Sequence, residues 1–465
     1  MAVRSKLKVL FASSEVEPYS KTGGLADVAG SLPVALNKSG VDIRVVTPKY
    51  KCVKVKGNEA SLGGKVPVYF IENDGYFMRD GLYAENGEDY GDNLDRFVFF
   101  SKQVLEIIRK KKFKPDIIHC NDWQTALVPL YLKEIFWPKY KFYKGIKTLI
   151  TVHNLGYQGI FPKLDFPRIQ LGWEYFTMHR LEFYDMVNLL KGGLVFSDFI
   201  STVSPAYAEE IQTGEFGCGL DPLLRERRDR LFGILNGIDY GEWNPSKDTE
   251  LKYHFSASRP GGKAMDKALL QKECGLDVKT DIPLIGVISR LADQKGLDLI
   301  SGMISRLLDD MDVQFVLLGT GEEKYHRLFG EISRRMPRKA SINLRFDEVL
   351  AKKIYAGSDM FLMPSRYEPC GLGQMISLRY GTIPIARNTG GLADTISEFD
   401  IKTGEGNGFL FGRYDTWELF DAVRRALMVY KQKRLWTKLV SNAMACDFSW
   451  QRSAKKYLEL YKKLV

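Results

Sequence analysis

Two cations stand five residues apart in SRLADQKG (289–296): Arg290 and Lys295. Paired cations on one loop suit a departing diphosphate, whose developing charge they can meet. A lysine beside a helix start is unfavourable unless an anion compensates it; the bland alternative is an arginine tied to a carboxylate and a lysine in water. PSRYEPCGLGQ (364–374) follows a strand-like run, with Glu368 and Cys370 in the loop and Gly371 to Gly373 opening a helix. A carboxylate there can bond sugar hydroxyls or stabilise an oxocarbenium-like centre, or it can simply cap the helix. Cys370 lacks a basic neighbour in sequence and reads as a small packed residue rather than a nucleophile.

A second set lies earlier. HCNDWQ (119–124) offers Asp122 and Trp123, and TVHNLGYQG (151–159) offers His153 and Asn154. A histidine alone after a strand is more often structural than catalytic, and His119 has nothing further to support it. In SKTGGLADVAGSLP (20–33), preceded by Glu15, Lys21 leads into Gly23, Gly24 and a helix. Two glycines let a backbone approach a phosphate while Lys21 adds a point charge, though a tight turn with a solvated lysine fits equally. The six letters TGGLAD recur at 389–394. Asp27 and Asp394, inside the two copies, read as local caps. GTGEEK (319–324) imitates a dinucleotide fingerprint, but Lys324 replaces the third glycine and no acidic residue stands about twenty positions on, so it is rejected.

Every one of these clusters follows a short apolar run of the kind that forms parallel strands between helices. Such runs are LKVLFAS (7–13), IRVVTP (43–48), PDIIHC (115–120), KTLITVH (147–153), DFISTVS (198–204) and LFGILNG (231–237). One helix is expected over 125–136. PLIGVIS (283–289), VQFVLLG (313–319), MFLMPS (360–365) and PIAR (384–387) repeat the scheme, and residues 297–311 place their apolar positions on one helical stripe. Between 239 and 281 no strong strand stands out. The expectation is an α/β chain of two doubly wound Rossmann-like domains facing across a cleft, with ligands at the carboxyl ends of the strands. The first is placed at 1–245, the second at 246–445, and 446–465 is a terminal helix packing back on the first, with hinge motion near 240–260.

The chain has 465 residues, long enough for two cores, and its composition is ordinarily globular. The apolar runs are too short to span a bilayer and the N-terminus lacks a signal-peptide pattern, so no membrane association and a cytoplasmic site are expected, a plastid only after loss of a transit peptide. Six scattered cysteines suit reduced thiols and no structural zinc. Net charge is +10, but the basic runs 110–114, 225–230 and 431–434 are far apart and read as solvated faces rather than a nucleic-acid stripe; KYKFYK (139–144) could stack sugars or bases.

Taken together, KTGGLADVAGSLP, HCNDWQT, TVHNLGYQG, NGIDYGEWNP (236–245), SRLADQKG, PSRYEPCGLGQ and RNTGGLADT resemble, in order and over nearly the whole chain, bacterial glycogen synthase and plant starch synthase, retaining glucosyltransferases of the GT-B fold. The resemblance implies transfer of glucose from ADP-glucose to the non-reducing 4-OH of an α-1,4-glucan, with no metal and no cofactor. It places Lys21, Gly24, Arg290, Lys295, Phe346, Cys370, Gly371, Leu372, Thr389, Gly390 and Gly391 around the nucleotide sugar. It places Asp122, Asn154 and Asn236 on the acceptor side, with Glu368, His153, Asp122, Arg290 and Lys295 serving the chemistry. The position eight beyond Glu368, acidic in many retaining GT-B enzymes, is Ile376. With one carboxylate, attack by the acceptor on the face the diphosphate leaves is favoured over double displacement. UDP-glucose as donor, a phosphorylase-like enzyme needing pyridoxal phosphate, and a non-catalytic glucan- or polynucleotide-binding protein are the competing readings.

Overall fold

The structure is a computed structural model and describes residues 6–85 and 87–465. The chain divides into two compact units, 1–237 with 450–465, and 238–449. The strands of the two main sheets are numbered here in chain order.

The first unit is built on β1 (Lys8–Ala12), β2 (Asp42–Pro48), β3 (Glu59–Leu62), β4 (Val66–Ile71), β5 (Ile117–Asn121), β6 (Lys147–Val152), β7 (Phe199–Thr202) and β8 (Leu231–Gly233). Across the sheet they run β8-β7-β6-β5-β1-β2-β4-β3, parallel except for the β3–β4 pair. Central strands such as Ile117–Asn121 are buried along their whole length, which is why they read as unbroken apolar runs rather than alternating ones. The order reverses between β1 and β5. In parallel sheets such a reversal is where loops diverge and ligands bind at the carboxyl ends.

Helix Gly24–Lys38 buries Leu25, Val28, Ala29, Leu32, Ala35 and Leu36, a stripe at helical spacing, and packs on the last helix of the chain, Trp450–Leu464. That helix turns Trp450, Ala454, Tyr457, Tyr461 and Leu464 into the core of the first unit. Its Tyr461 hydroxyl meets His119 Nδ1 at 2.7 Å, and His119 Nε2 meets Thr151 Oγ1 at 2.6 Å. His119 is thus a fully buried structural residue, its pKa pushed down to about 3 by burial and by neighbouring His153.

The second unit holds β9 (Leu284–Ile288), β10 (Gln314–Leu318), β11 (Ala340–Asn343), β12 (Met360–Met363), β13 (Ile383–Arg387) and β14 (Phe409–Phe411). All six are parallel, in the order β11-β10-β9-β12-β13-β14. Counted within the unit this is 3-2-1-4-5-6, the dinucleotide-binding order, whose switch point lies between β9 and β12.

Three local expectations change. Residues 125–136 are not one α-helix: a 3-10 turn at Trp123–Thr125 leads into Leu127–Tyr131 and a π-turn at Leu132–Phe136. Pro138, without an N–H, cannot continue the i→i−4 ladder, and just before it the Trp137 N–H donates to Leu132 O, five residues back. Residues 238–245, placed by sequence with the first domain, belong to the second unit. There Ile238 N–H donates to Phe448 O (2.8 Å), Phe448 N–H donates to the Tyr240 hydroxyl (2.8 Å), and Trp243 packs edge-on against Tyr355. Residues 446–449 likewise precede the terminal helix rather than belonging to it.

Candidate active site

In the second unit the site grows from two loops at the switch point. After β9 the chain makes one 3-10 turn, Asp293–Lys295, and enters helix Leu297–Asp310 through Gly296. Gly296 adopts φ +69°, and a β-carbon on it would stand 2.0 Å from Pro364 O in the loop after β12. Only glycine lets these two loops meet. Their meeting sets Lys295 Nζ 2.6 Å from Glu368 Oε2, and Ser365 Oγ donates to the same oxygen at 2.9 Å. Glu368 is 5% exposed, so its carboxylate is held by a charge-assisted pair inside the loop and is not a helix cap. Arg290 is exposed on the loop that carries Lys295.

The loop after β13 joins the same group. Gly391 N–H donates to Glu368 O at 2.9 Å, and a β-carbon on Gly391 would lie 2.0 Å from Cys370 O. Thr389 precedes the short helix Gly390–Thr395 without capping it through its side chain, and Gly371 and Leu372 lead into helix Gly373–Arg379. Cys370 is buried, as a packing residue would be, and Ile376 is buried as well, so an apolar side chain fills the position where a second carboxylate was sought. GTGEEK supports the site mechanically: Leu291 forms a parallel bridge with Gly321 and its N–H donates to Thr320 O at 2.9 Å. Phe346, 80% exposed, stands just beyond the carboxyl end of edge strand β11, two strands away from β9.

In the first unit the loops after β1, β5 and β6 carry the candidates. Lys21 Nζ pairs with Asp27 Oδ1 at 2.7 Å, so Asp27 is an ion-pair partner rather than the helix cap expected of it. Asp122 takes φ 55° and ψ −174°, a backbone conformation that is strained for any residue with a β-carbon, by about 1–3 kcal/mol. It is held there because its N–H donates to Thr151 O (2.9 Å) and its Oδ1 accepts from His153 N–H (2.7 Å). Burial, and after it the negative charge of Glu15, push the Asp122 carboxyl up to about 7 against the opposing amides of His153 and Asn154.

Asn121 Nδ2 donates to Ala12 O (3.0 Å), leaving Oδ1 as an acceptor 2.9 Å from His153 Nε2. His153 therefore carries its proton on Nε2 and keeps Nδ1 as an acceptor, and burial lowers its pKa to about 3, so the ring is neutral. Asn154 Oδ1 accepts from Gly156 N–H at 3.0 Å and shapes the following turn. Asn236, past the end of β8, has a buried Oδ1 with no hydrogen-bond partner among the described residues, an acceptor suited to a ligand hydroxyl. Sequence reasoning gave no role to Asn121, to Ser365 or to Tyr83, whose hydroxyl donates to Glu15 Oε1 at 2.8 Å. Asn121 is the last residue of its strand and Ser365 directly follows a strand proline, which are weak signals. Tyr83 lies in a stretch with no strand signal at all.

Among the described residues, no group of three or more His, Cys, Asp or Glu side chains is placed to hold a metal ion. No helix among the described residues is long and apolar enough to cross a membrane.

Two loop clusters at the switch points of two parallel sheets are the setting in which known proteins can be compared. The family model described as the starch synthase catalytic domain matches residues 8–226, and that for glycosyl transferases group 1 matches 275–439. Glycogen synthases from Geotalea daltonii and Thermotoga maritima are each 46% identical to this chain, over 99% of it and 99% of their own length. The chain belongs to the glycogen synthase family. The catalytic domain of starch synthase IV from Arabidopsis thaliana, solved with ADP and acarbose, matches with a TM-score of 0.89 at 37% identity over 99% of both chains. A sucrose-phosphate synthase from Thermosynechococcus elongatus shares the fold, with a TM-score of 0.64 at 17% identity and 99% coverage of both chains. The chain is accordingly a glucosyltransferase with GT-B-type Rossmann-like units, as its motifs implied.

Proposed function

We propose that this glucosyltransferase takes glucose from ADP-glucose and adds it to the non-reducing 4-OH of an α-1,4-glucan with the anomer retained. The observation that carries the reading is the Lys295–Glu368 pair at the switch point of a 3-2-1-4-5-6 sheet. A diphosphate entering there competes with Glu368 for the ammonium. Lys295 then turns to the phosphates with Arg290, and Glu368 is released to accept hydrogen bonds from the glucose hydroxyls. The glycine-rich turns at 371 and 389–391 let backbone approach the same diphosphate. Phe346 is assigned to the base, and Lys21 and Gly24 to the diphosphate.

With Ile376 in place of a second carboxylate, the acceptor hydroxyl attacks on the face from which the diphosphate departs, and the leaving phosphate oxygen takes its proton. The C1–O bond to phosphate breaks as the new glycosidic bond forms, ADP carries away the electron pair, and the cations meet its charge without calling on a metal. Asp122, His153, Asn154 and Asn236 serve the acceptor and the transferred glucose. The names of the bacterial relatives and the ADP and acarbose held by the starch synthase support donor and acceptor class, and a cytoplasmic site fits those relatives.

The test is nucleotide release from ADP-glucose and from UDP-glucose with glycogen present. ADP release should match glucose incorporated. A kcat/KM for UDP-glucose equal to or above that for ADP-glucose would overturn the donor assignment.

A further inference from the structure

Glu15 is a carboxylate 4% exposed beneath a loop, 21–24, whose residues are all exposed. Thr22 N–H and Gly23 N–H donate to its Oε2 at 2.5 and 3.2 Å, and the Thr22 and Tyr83 hydroxyls donate to its Oε1 at 2.6 and 2.8 Å. The Tyr83 hydroxyl is in turn 2.7 Å from Ser14 Oγ. Two N–H and two O–H groups thus converge on one side chain, and only a carboxylate accepts at both of its oxygens. Without it the glycine-bearing turn would have the conformational freedom that makes glycine costly to order. Gly23, in extended backbone, has nothing within 4 Å of where a β-carbon would stand.

We propose that Glu15 is a positioning residue for glucosyl transfer, fixing the Thr22–Gly23 backbone so that Lys21 and Gly24 are presented in one geometry to the donor's diphosphate. It touches no reacting atom and acts through the loop. The inference rests on the assignment of Lys21 and Gly24 to the donor, but the loop-fixing half of it can be read without any ligand.

Three variants separate geometry from charge. In Glu15→Gln the amide oxygen can face the two N–H groups while its NH2 donates to Thr22 and to Tyr83, whose hydroxyl then turns to Ser14, so the loop stays fixed. In Glu15→Asp the carboxylate is one methylene short of both amides, and Glu15→Ala removes it. Hydrogen exchange of the ligand-free chain should show the Thr22 and Gly23 amides protected in wild type and Gln and unprotected in Asp and Ala. ADP affinity, by titration calorimetry, should stay within about threefold in Gln and fall by about tenfold or more in Asp and Ala, since bonds to a charged group are lost and the loop must be ordered on binding. kcat should fall in Asp and Ala while KM for glycogen stays unchanged. Should Ala fail to fold, Asp against Gln carries the comparison. Asp with wild-type protection and affinity, or Gln as impaired as Ala, would overturn the proposal. Exchange behaving as expected while wild type itself fails to bind ADP would overturn the donor assignment and leave the loop-fixing role standing.

Discussion

At the scale of single residues, the pairing of Lys295 with Glu368 makes a double prediction. Lys295→Ala should lower kcat by about a hundredfold, on the order of 3 kcal/mol of leaving-group stabilisation, with glucan binding little changed. It should also lower stability, because it leaves a buried carboxylate with Ser365 as its remaining side-chain donor. Adding Glu368→Gln should restore the stability and not the rate, and a double-mutant cycle by urea unfolding and steady-state kinetics checks both. Asp122 makes a prediction of opposite kind. A carboxyl raised to about 7 keeps its proton in the folded chain while the unfolded chain loses it near the ordinary aspartate value of about 4. Stability is therefore greatest below about pH 4 for this group, declines as pH rises toward 7 and is level above. The stability of wild type minus that of Asp122→Asn, from unfolding measured at pH 4 to 8, should carry that decline. His119 and His153, each lowered to about 3, act with the other sign: their contribution is lost as pH falls from about 6.5 toward 3. The pH–rate profile should carry no limb from His153 near neutrality.

At the scale of elements, the two TGGLAD copies turn out to be alike in letters and in place, each beginning a helix after a strand, yet different in what their glycines do. In the first, Gly23 is extended and open to solvent, and the turn is held by the Glu15 side chain. In the second, the matching glycine, Gly390, takes φ +44° instead, and the next, Gly391, is wedged against the Cys370 carbonyl and held by the Glu368 main chain. Gly391→Ala should therefore destabilise the chain by about 1–3 kcal/mol, because the obstructing atom is backbone. Gly23→Ala should change stability by less than about 0.5 kcal/mol while impairing donor binding if the phosphate comes as close as proposed. Thermal unfolding and ADP titration of both variants distinguish the roles.

For the whole molecule, the chain leaves the first unit at residue 237 and returns to it at 450. Ending the chain at 449 should unfold the first unit, since it strips Trp450, Ala454, Tyr457, Tyr461 and Leu464 from that core and leaves buried His119 without Tyr461. The second unit should survive, and a 238–449 fragment should bind ADP while transferring nothing; a fragment with no ADP affinity would place the donor elsewhere. Much of this was legible in the sequence. Strand positions, the α/β class and the clustering of Glu368, Lys295, Asp122 and His153 behind strands follow from local pattern, because parallel strands buried on both faces must be short apolar runs and their loops must hold the polar residues. What only tertiary structure decided depends on partners far apart in the chain. The boundary moved to 237 because Ile238 and Tyr240 bond to residues near 448. Asp27 became an ion-pair partner because Lys21 folds back on it, and the partner of His119, already read as structural, is a tyrosine 342 residues away. Glu15 acquired four donors through a loop whose path no local propensity specifies. Hydrophobic period and turn chemistry are properties of neighbours in sequence, whereas the partner of a buried polar group is whichever donor or acceptor the packed chain brings within about 3 Å.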